Sequence, residues 1–262
     1  MIKNLLYTAV RNFRKHKQFT LINLLGLTLG IGSSLLFVLW VQDELNMDRF
    51  HQHGERIFQV MNYTQMGDGK SATGGQVPAA MAQSILDDYP EVELAVPMSV
   101  NTSQLFIWDQ ESVSESGVYA GDDFFHLFTF PLLAGEKDNV LASPAGVAIS
   151  VSLAKKIFGV DSSPTAVLGR PITIEGEEPL IVSGVFTDVP ASSSLQFEYV
   201  LPIISDPSWK PDEWGGFMHR LFVRLAPRVD MPAFSEKFSS TVARNMEDIL
   251  KEYPGMTLTQ LL

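Results

Sequence analysis

The stretch FTLINLLGLTLGIGSSLLFVLWV, residues 19–41, contains no charged side chain and decides how the chain is organised. As a helix, 23 residues span about 35 Å, enough to cross a hydrocarbon core of about 30 Å. Trp40 lies near one end of the stretch, where aromatic side chains of membrane interfaces are common. The stretch therefore predicts a transmembrane helix over residues 19–41.

The two flanks of this stretch differ in charge. Residues 1–18 hold five Lys and Arg side chains and no acid, whereas all 30 acidic residues follow residue 41. Because basic flanks stay in the cytoplasm, we expect a cytoplasmic N-terminus and a main domain outside the cytoplasm. A cleaved signal peptide is the alternative, but the apolar stretch exceeds a usual signal sequence, and no cleavage site of small residues follows it.

The basic segment before the stretch has a helical pattern of apolar residues. They recur three and four positions apart, at Ile2, Leu5, Leu6, Ala9, Val10 and Phe13. The opposite face is basic. Residues 1–18 are therefore predicted to form a cytoplasmic amphipathic helix that lies against membrane lipid.

Small residues interrupt the apolar stretch. Gly26 and Gly30 form a G-x-x-x-G pattern, and Ser33 and Ser34 follow them. Small residues let helix backbones approach closely, so this face is predicted to pack against another transmembrane helix. The pattern leaves open whether that helix belongs to a second copy of the chain.

The remainder, residues 42–262, is predicted to form one α+β domain. Its acidic balance disfavours binding to nucleic acid, and the absence of cysteine excludes disulfides and thiolate chemistry. Short apolar strands and helices alternate irregularly, which is typical of α+β folds. The predicted strands cover residues 57–63, 92–100, 105–108, 113–119, 147–150, 172–175, 180–186 and 220–225.

Helices are predicted over residues 78–89, 152–158 and 230–253, the last of them capped by Asp230. Residues 66–76 are rich in Gly and Ser and are predicted to form a loop. The chain ends at Leu262 in an apparent unfinished strand, so we expect the domain to be truncated at its C-terminal end.

The domain offers few residues for chemistry. His51 and His53 lie in a predicted turn, where alternate positions do not share a face, and are interpreted as surface histidines rather than metal ligands. Trp209 and Trp214 lie in a Pro-containing loop, WKPDEW. Two tryptophans in such a loop either pack on the core or contact a partner protein. No catalytic, cofactor-binding or metal-binding residue is predicted.

Six stretches, in one order along the chain, resemble a known family. They are RNFRKHKQFTLINLLGLTLGI at 11–31, VQDELNMDRFHQHGERIFQV at 41–60, GVYAGDDFFHLFTFPLLAGE at 117–136, AISVSLAKKIFG at 148–159, VLGRPITIEG at 167–176 and VSGVFTDVPASSSLQF at 182–197. They are similar to MacB-like and FtsX-like ABC transporter permeases, and most resemble those of Bacteroidetes-type bacteria.

The resemblance implies an inner-membrane permease subunit without enzymatic activity of its own. Its periplasmic domain would have a porter-like part with an inserted second lobe, and further transmembrane helices would follow it. The implied partners are a separate cytoplasmic ABC ATPase, a second permease copy, and a periplasmic or outer-membrane protein. The implied mechanism is mechanotransmission, in which ATP-driven motion inside the cell moves the periplasmic domain during efflux or extraction of a substrate.

Two other interpretations remain open from the sequence. A single-span sensor or ligand-binding module would also combine one helix with an extracytoplasmic α+β domain. A membrane-anchored hydrolase would do the same, although the chain lacks a G-x-S-x-G motif for a nucleophile.

Overall fold

The computed structural model describes residues 7, 11, 15–108, 111–176, 178–251 and 256–262. The chain divides after Met47 into two compact units. The amphipathic helix predicted in residues 1–18 lies largely outside the described residues and stays a prediction.

The first unit contains helix α1, Lys17–Asn46, whose 30 residues span about 45 Å. None of its side chains is buried. Within the described part of the chain, α1 is the one helix long and apolar enough to cross a membrane. It extends beyond the uncharged stretch at its C-terminal end and includes Asp43 and Glu44.

The second unit is a mixed α+β domain, as predicted. Its strands are β1 Ile57–Gln59, β2 Met61–Gln65, β3 Ser71–Gly74, β4 Val77–Pro78, β5 Val92–Met98, β6 Thr102–Trp108, β7 Glu111–Ala120, β8 Leu132–Ala134, β9 Gly146–Ser150, β10 Pro171–Ile174, β11 Leu180–Phe186, β12 Tyr199–Pro202, β13 Phe217–Leu225 and β14 Thr257–Leu261. Its helices are α2 Met81–Asp88, α3 Phe124–Leu127, α4 Val151–Phe158, α5 Pro164–Val167, α6 Met231–Phe238, α7 Thr241–Asn245 and α8 Glu247–Lys251, with 3₁₀ turns at Gly54–Arg56 and Ile203–Ser205.

Strand pairing explains the predicted inserted lobe. β5 and β13 pair along most of their length, although more than a hundred residues separate them in the chain. Between them, residues 102–202 form a ring of paired strands in the order β6-β7-β12-β9-β11-β10, which closes because β10 also pairs with β6. We call residues 102–202 the inserted lobe. A single residue pair, Met98 with Ala120, joins β5 to this ring.

The rest of the unit forms what we call the basal part. It consists of β1, β4, β5 and β13, helices α2 and α6–α8, and a separate three-stranded sheet in the order β14-β2-β3. Its apolar residues form a basal core around Met81, Ile85, Leu221 and Phe238. The inserted lobe has its own core, to which the ring and helices α4 and α5 contribute.

A third cluster joins the two parts, and we call it the interlobe core. Val96 and Phe222 come from the basal part, whereas the inserted lobe supplies most of its aromatic rings. The buried rings of the cluster are Phe124, Phe125, Phe128, Phe130, Phe186, Phe197 and Phe222. Because β5 and the ring share only one pair of residues in register, this packing is the main connection between the lobes.

Three local predictions were wrong. The helix predicted over residues 230–253 is divided into α6, α7 and α8. At the first break, the Ser239 carbonyl accepts from the Gln260 N–H instead of from an amide one turn further on. The strand predicted over 57–63 divides at Val60 between the two sheets. The loop predicted over 66–76 contains β3, which pairs with β2.

Other local predictions are confirmed. Asp230 caps α6 by accepting from the Ala233 N–H at 3.5 Å. The strands predicted over 172–175 and 180–186 are present as β10 and β11, which pair antiparallel. The helix predicted over 152–158 is present as α4, which ends before Gly159, whose φ of +98° is accessible to glycine at little cost.

Candidate functional site

The nine residues that follow α1 after Met47 are held to the domain by hydrogen bonds. We call residues 48–56 the junction segment. The Asp48 N–H donates to the Ser192 carbonyl at 2.8 Å, and the Asp48 carboxylate accepts from the Ser194 N–H at 2.9 Å. These contacts attach the start of the segment to the inserted lobe.

His51 attaches the middle of the junction segment to the interlobe core. Its Nδ1 accepts from the Thr129 N–H at 3.0 Å, while the Gln52 N–H donates to the Thr129 Oγ1 at 2.7 Å. The imidazole lies 5.3 Å from the Phe128 ring and 5.2 Å from the Phe130 ring, measured between ring centroids. Only 5% of its side chain is exposed.

The prediction of a surface histidine was therefore wrong for His51 and is confirmed for the exposed His53. Burial lowers the pKa of His51 from its ordinary value, and the nearby Asp48 carboxylate only partly opposes this. Neutral His51 can accept the Thr129 hydrogen bond, whereas a protonated ring has no free lone pair at Nδ1. The hydrogen bond between the Thr129 N–H and His51 thus requires a neutral imidazole.

Arg56 attaches the end of the segment to the basal part. Its Nη1 donates to the Leu225 carbonyl at 2.9 Å and to the Glu93 carboxylate at 3.2 Å. Glu93 also accepts from Arg224 Nε at 2.9 Å, so two guanidinium groups share one carboxylate. Burial opposes ionisation of Glu93, but Arg224 and Arg56 outweigh it and lower its pKa. The junction segment therefore contacts both lobes across the interlobe core.

The small residues of α1 lie where the sequence places them. Gly26, Gly30 and Ser34 line a shallow concave face, flanked by Leu27, Ile31, Leu35 and Val38, and Ser33 lies beside it. Both serine hydroxyls donate to the Gly30 carbonyl, Ser33 at 3.1 Å and Ser34 at 2.8 Å. Because these hydroxyls are satisfied within the helix, the face can meet apolar surface without an unpaired donor.

The two tryptophans of the WKPDEW loop pack against different hydrophobic cores. Trp209 is partly buried against the inserted-lobe core, and its ring meets the His219 ring edge-on at 5.1 Å. Trp214 is partly buried against the basal core. The loop between them includes the exposed Lys210–Glu213 ion pair at 2.9 Å.

A buried cluster beside Trp209 has the residue types of a catalytic triad but not its geometry. The Nε2 atom of His219 lies 3.3 Å from Ser208 Oγ and also 3.1 Å from Asp206 Oδ2. A triad needs its serine and its carboxylate on different ring nitrogens. Nδ1 of His219 is buried and has no hydrogen-bond partner among the described residues. The arrangement is that of a structural polar cluster.

The described ranges also contain no group of three or more His, Asp or Glu side chains placed to hold a metal ion.

The junction segment is the feature that brings separate elements of the fold together. The sequence indicates a coupling role for the residues near 43–50 but not what binds them, because Thr129 and Ser192–Ser194 come from distant loops.

Comparison with known proteins agrees with this architecture. The sequence profile of the MacB-like periplasmic core domain matches residues 20–241. No curated protein matches the chain. A crystal structure of a domain of a putative permease protein from Porphyromonas gingivalis is 27% identical, with a TM-score of 0.70 over 81% of this chain and 90% of that chain.

A second solved structure supports the fold alone. The periplasmic region of MacB from Actinobacillus actinomycetemcomitans is 14% identical to this chain. The TM-score is 0.52, with 81% of this chain and 89% of that chain covered. The predicted α+β architecture behind one apolar helix is thereby confirmed.

Proposed function

This chain belongs to the family of MacB-like periplasmic core domains of ABC transporter permeases, and we propose that it couples ATP-driven helix motion to its extracytoplasmic domain. The motion would serve efflux or extraction of a substrate by mechanotransmission. ATP hydrolysis would take place in a separate cytoplasmic ABC ATPase, so this portion would act without catalysis of its own.

The junction segment is the observation that carries this proposal. It follows α1 directly in the chain and is hydrogen-bonded to the inserted lobe through Asp48 and to the basal part through Arg56. His51 fixes it to the aromatic packing between them. A displacement of α1 would therefore reach both lobes at the place where they meet.

Charge supports the proposed orientation. The basic residues 1–18 would lie in the cytoplasm, residues 19–41 would cross the inner membrane, and the acidic residues 42–262 would lie in the periplasm. The amphipathic residues 1–18 would contact lipid on the cytoplasmic side.

Two surfaces support the proposed partners. The face of Gly26, Gly30 and Ser34, with Ser33 beside it, would pack against a helix of the permease dimer. The loop that carries Trp209 and Trp214 would offer its exposed portion to a periplasmic or outer-membrane partner. Each tryptophan would then position the loop from the core beneath it.

The test uses the full-length permease with its cytoplasmic ATPase in lipid nanodiscs. Because residues 1–262 contain no cysteine, Ser112→Cys gives one spin-label site within them, on an exposed residue of the inserted lobe, and any cysteines elsewhere in the assembly are replaced. The distance between the labels of two permease copies is measured with ATP and with ADP. We expect a nucleotide-dependent change, which a flexible Gly-Ser insertion between Met47 and Asp48 abolishes while ATP hydrolysis continues.

The control carries the same insertion between Asp68 and Gly69, in an exposed turn between β2 and β3. This variant should retain the nucleotide-dependent change. An unaltered distance in the native protein, or an unaltered response after the insertion at Met47, would refute coupling through the junction segment.

A further inference from the structure

A groove lies beside the junction segment, at the boundary between the two lobes. Its volume is about 540 Å³, within the usual range for small-molecule sites. We call it the interlobe groove. Its lining residues come from the junction segment, the inserted lobe and β13.

The charge of this lining is opposite to that of the protein. The chain has 30 acidic and 19 basic Lys and Arg residues, yet the groove is lined by Lys137 and Arg224 with His53 and His126, and by no carboxylate. Such a local excess of donors and positive charge favours an anion. A negatively charged ligand would therefore be attracted to this lining rather than repelled by it.

The four side chains are unequally engaged. Arg224 uses Nε for Glu93 at 2.9 Å and Nη1 for the His126 carbonyl at 3.2 Å, and His126 Nε2 donates to Asp138 at 2.8 Å. Lys137 is exposed and has no ion pair within the described part of the chain. The ammonium group of Lys137 is therefore available to a ligand, with Arg224 held beside the groove by its other contacts.

The remainder of the lining is apolar. Phe128 and Phe130 belong to the interlobe core, and Pro131 and the partly exposed Leu132 continue the apolar side. Gln52 and Thr129 add polar groups, but Thr129 Oγ1 already accepts from the Gln52 N–H at 2.7 Å. The groove thus combines a cationic rim with an apolar wall.

We propose that the interlobe groove is a binding site for a small amphiphilic anion, an organic carboxylate or phosphate with a short apolar body. The acid group pairs with Lys137 and Arg224, and the apolar body lies along Pro131 and Leu132. A ligand seated there contacts Gln52 and His53 of the junction segment as well as both lobes. The binding does not depend on the transport role proposed above.

The experiment uses the full chain in lipid nanodiscs and isothermal titration calorimetry, with empty nanodiscs as the blank. The probe is 4-phenylbutyrate, and 4-phenylbutanol is its uncharged match. We expect saturable binding of the carboxylate and at least tenfold weaker binding of the alcohol, a difference of about 1.4 kcal/mol. Lys137→Glu should weaken binding of 4-phenylbutyrate by about tenfold, because it replaces attraction by repulsion.

Lys155→Glu is the matched control. Lys155 is also exposed and without an ion pair among the described residues, but it lies on α4 and does not line the groove. It changes the net charge equally and should leave affinity within about twofold. Equal binding of the alcohol, or equal losses in the two variants, would overturn the proposal, as would saturable binding of neither the carboxylate nor the phosphate ester tested next.

A second titration with 4-phenylbutyl phosphate identifies the acid group. Binding of either anion that is lost in Lys137→Glu and kept in Lys155→Glu supports the site, and the tighter anion gives the preferred chemistry. Inorganic phosphate alone should bind at least tenfold more weakly than the phosphate ester, since it lacks the apolar body. Equal affinity for inorganic phosphate and the ester would contradict the amphiphilic ligand.

Discussion

The interlobe core and the basal core hold their elements together in different ways. Phenylalanine rings dominate the interlobe core, where Phe124 alone meets four other rings within 6 Å. The basal core is also apolar, but a chain of buried polar side chains crosses its edge. Tyr89 bonds to Thr241 at 2.6 Å, and Gln260 bonds to Val242 and Asn62.

The difference has a physical consequence. Ring packing depends on contact area and tolerates small displacements, whereas buried hydrogen bonds fix one register and are costly when broken. The junction segment is attached to the aromatic region through His51 and not to the polar chain. The two lobes are thus held together mainly by aromatic packing, which is less directional than the buried hydrogen bonds of the basal core.

The largest loss of stability is expected from a substitution in the aromatic interlobe core. Phe124 is fully buried, so Phe124→Ala removes a ring from contact with Phe125, Phe128, Phe130 and Phe197. The variant should lose about 3–5 kcal/mol of unfolding free energy. Urea unfolding of the lipid-reconstituted chain, followed by tryptophan fluorescence, measures the loss.

Two comparisons make this result specific. Phe124→Leu keeps most of the volume and should lose about 1–2 kcal/mol. Phe158→Ala, at the partly exposed end of α4, should also lose less than Phe124→Ala. If all three variants unfold at the same urea concentration, the interlobe core does not limit the stability of the domain.

The second prediction concerns the buried polar side chains at the edge of the basal core. Gln260 is 1% exposed; its Oε1 accepts from the Val242 N–H at 2.9 Å, and its Nε2 donates to Asn62 Oδ1 at 3.2 Å. Gln260→Ala leaves both partners buried without a bond, which should cost about 2–3 kcal/mol. The same urea titration measures this cost.

Gln65→Ala is the matched control for Gln260→Ala. Gln65 lies in the same three-stranded sheet, but its side chain is exposed. Its replacement should change the unfolding free energy by less than about 0.5 kcal/mol. Equal effects at the two positions would mean that the buried hydrogen bonds add nothing beyond the sheet pairing.

Local patterns were sufficient for much of this fold. The uncharged stretch predicts α1, and apolar periodicity predicts α2, α4 and most strands, because these features depend on neighbouring residues. The broken helix after Asp230 was missed because the break is stabilised by Gln260, which is distant in the chain. The residues around Ser239 carry no pattern that indicates this hydrogen-bond partner, because the partner belongs to β14.

The candidate site was predictable only in part. The G-x-x-x-G face of α1 can be read from spacing, because a helix places positions four apart on one face. His51 cannot be recognised as buried from its own polar surroundings, since the rings that cover it are Phe128 and Phe130 of the inserted lobe. The closed ring of strands, which brings those rings to the junction segment, depends on long-range pairing.

The smallest predicted effect is a change of stability with pH, which His51 contributes to the interlobe packing. Because the pKa of His51 in the folded protein lies below 6.5, the unfolded chain binds a proton more readily than the folded one. The contribution of neutral His51 is therefore complete above pH 6.5 and declines as the pH falls from that value towards the folded pKa. The buried side chains of Thr241, Gln260 and Asn62 carry no titratable group, so Gln260→Ala should cost the same at pH 7.5 and at pH 5.

His51→Asn isolates this titration. The asparagine oxygen can accept from the Thr129 N–H in place of Nδ1 but does not protonate, so the variant should lose less than about 1 kcal/mol near pH 7.5. On acidification towards about pH 5, native stability falls while that of the variant falls less, so the gap between them narrows. His53→Asn is the control, because His53 is exposed and its φ of +62° suits asparagine. A gap for His51→Asn that stays constant across this range would show that the folded and unfolded chains bind the His51 proton equally, and would contradict a folded state that favours the neutral imidazole.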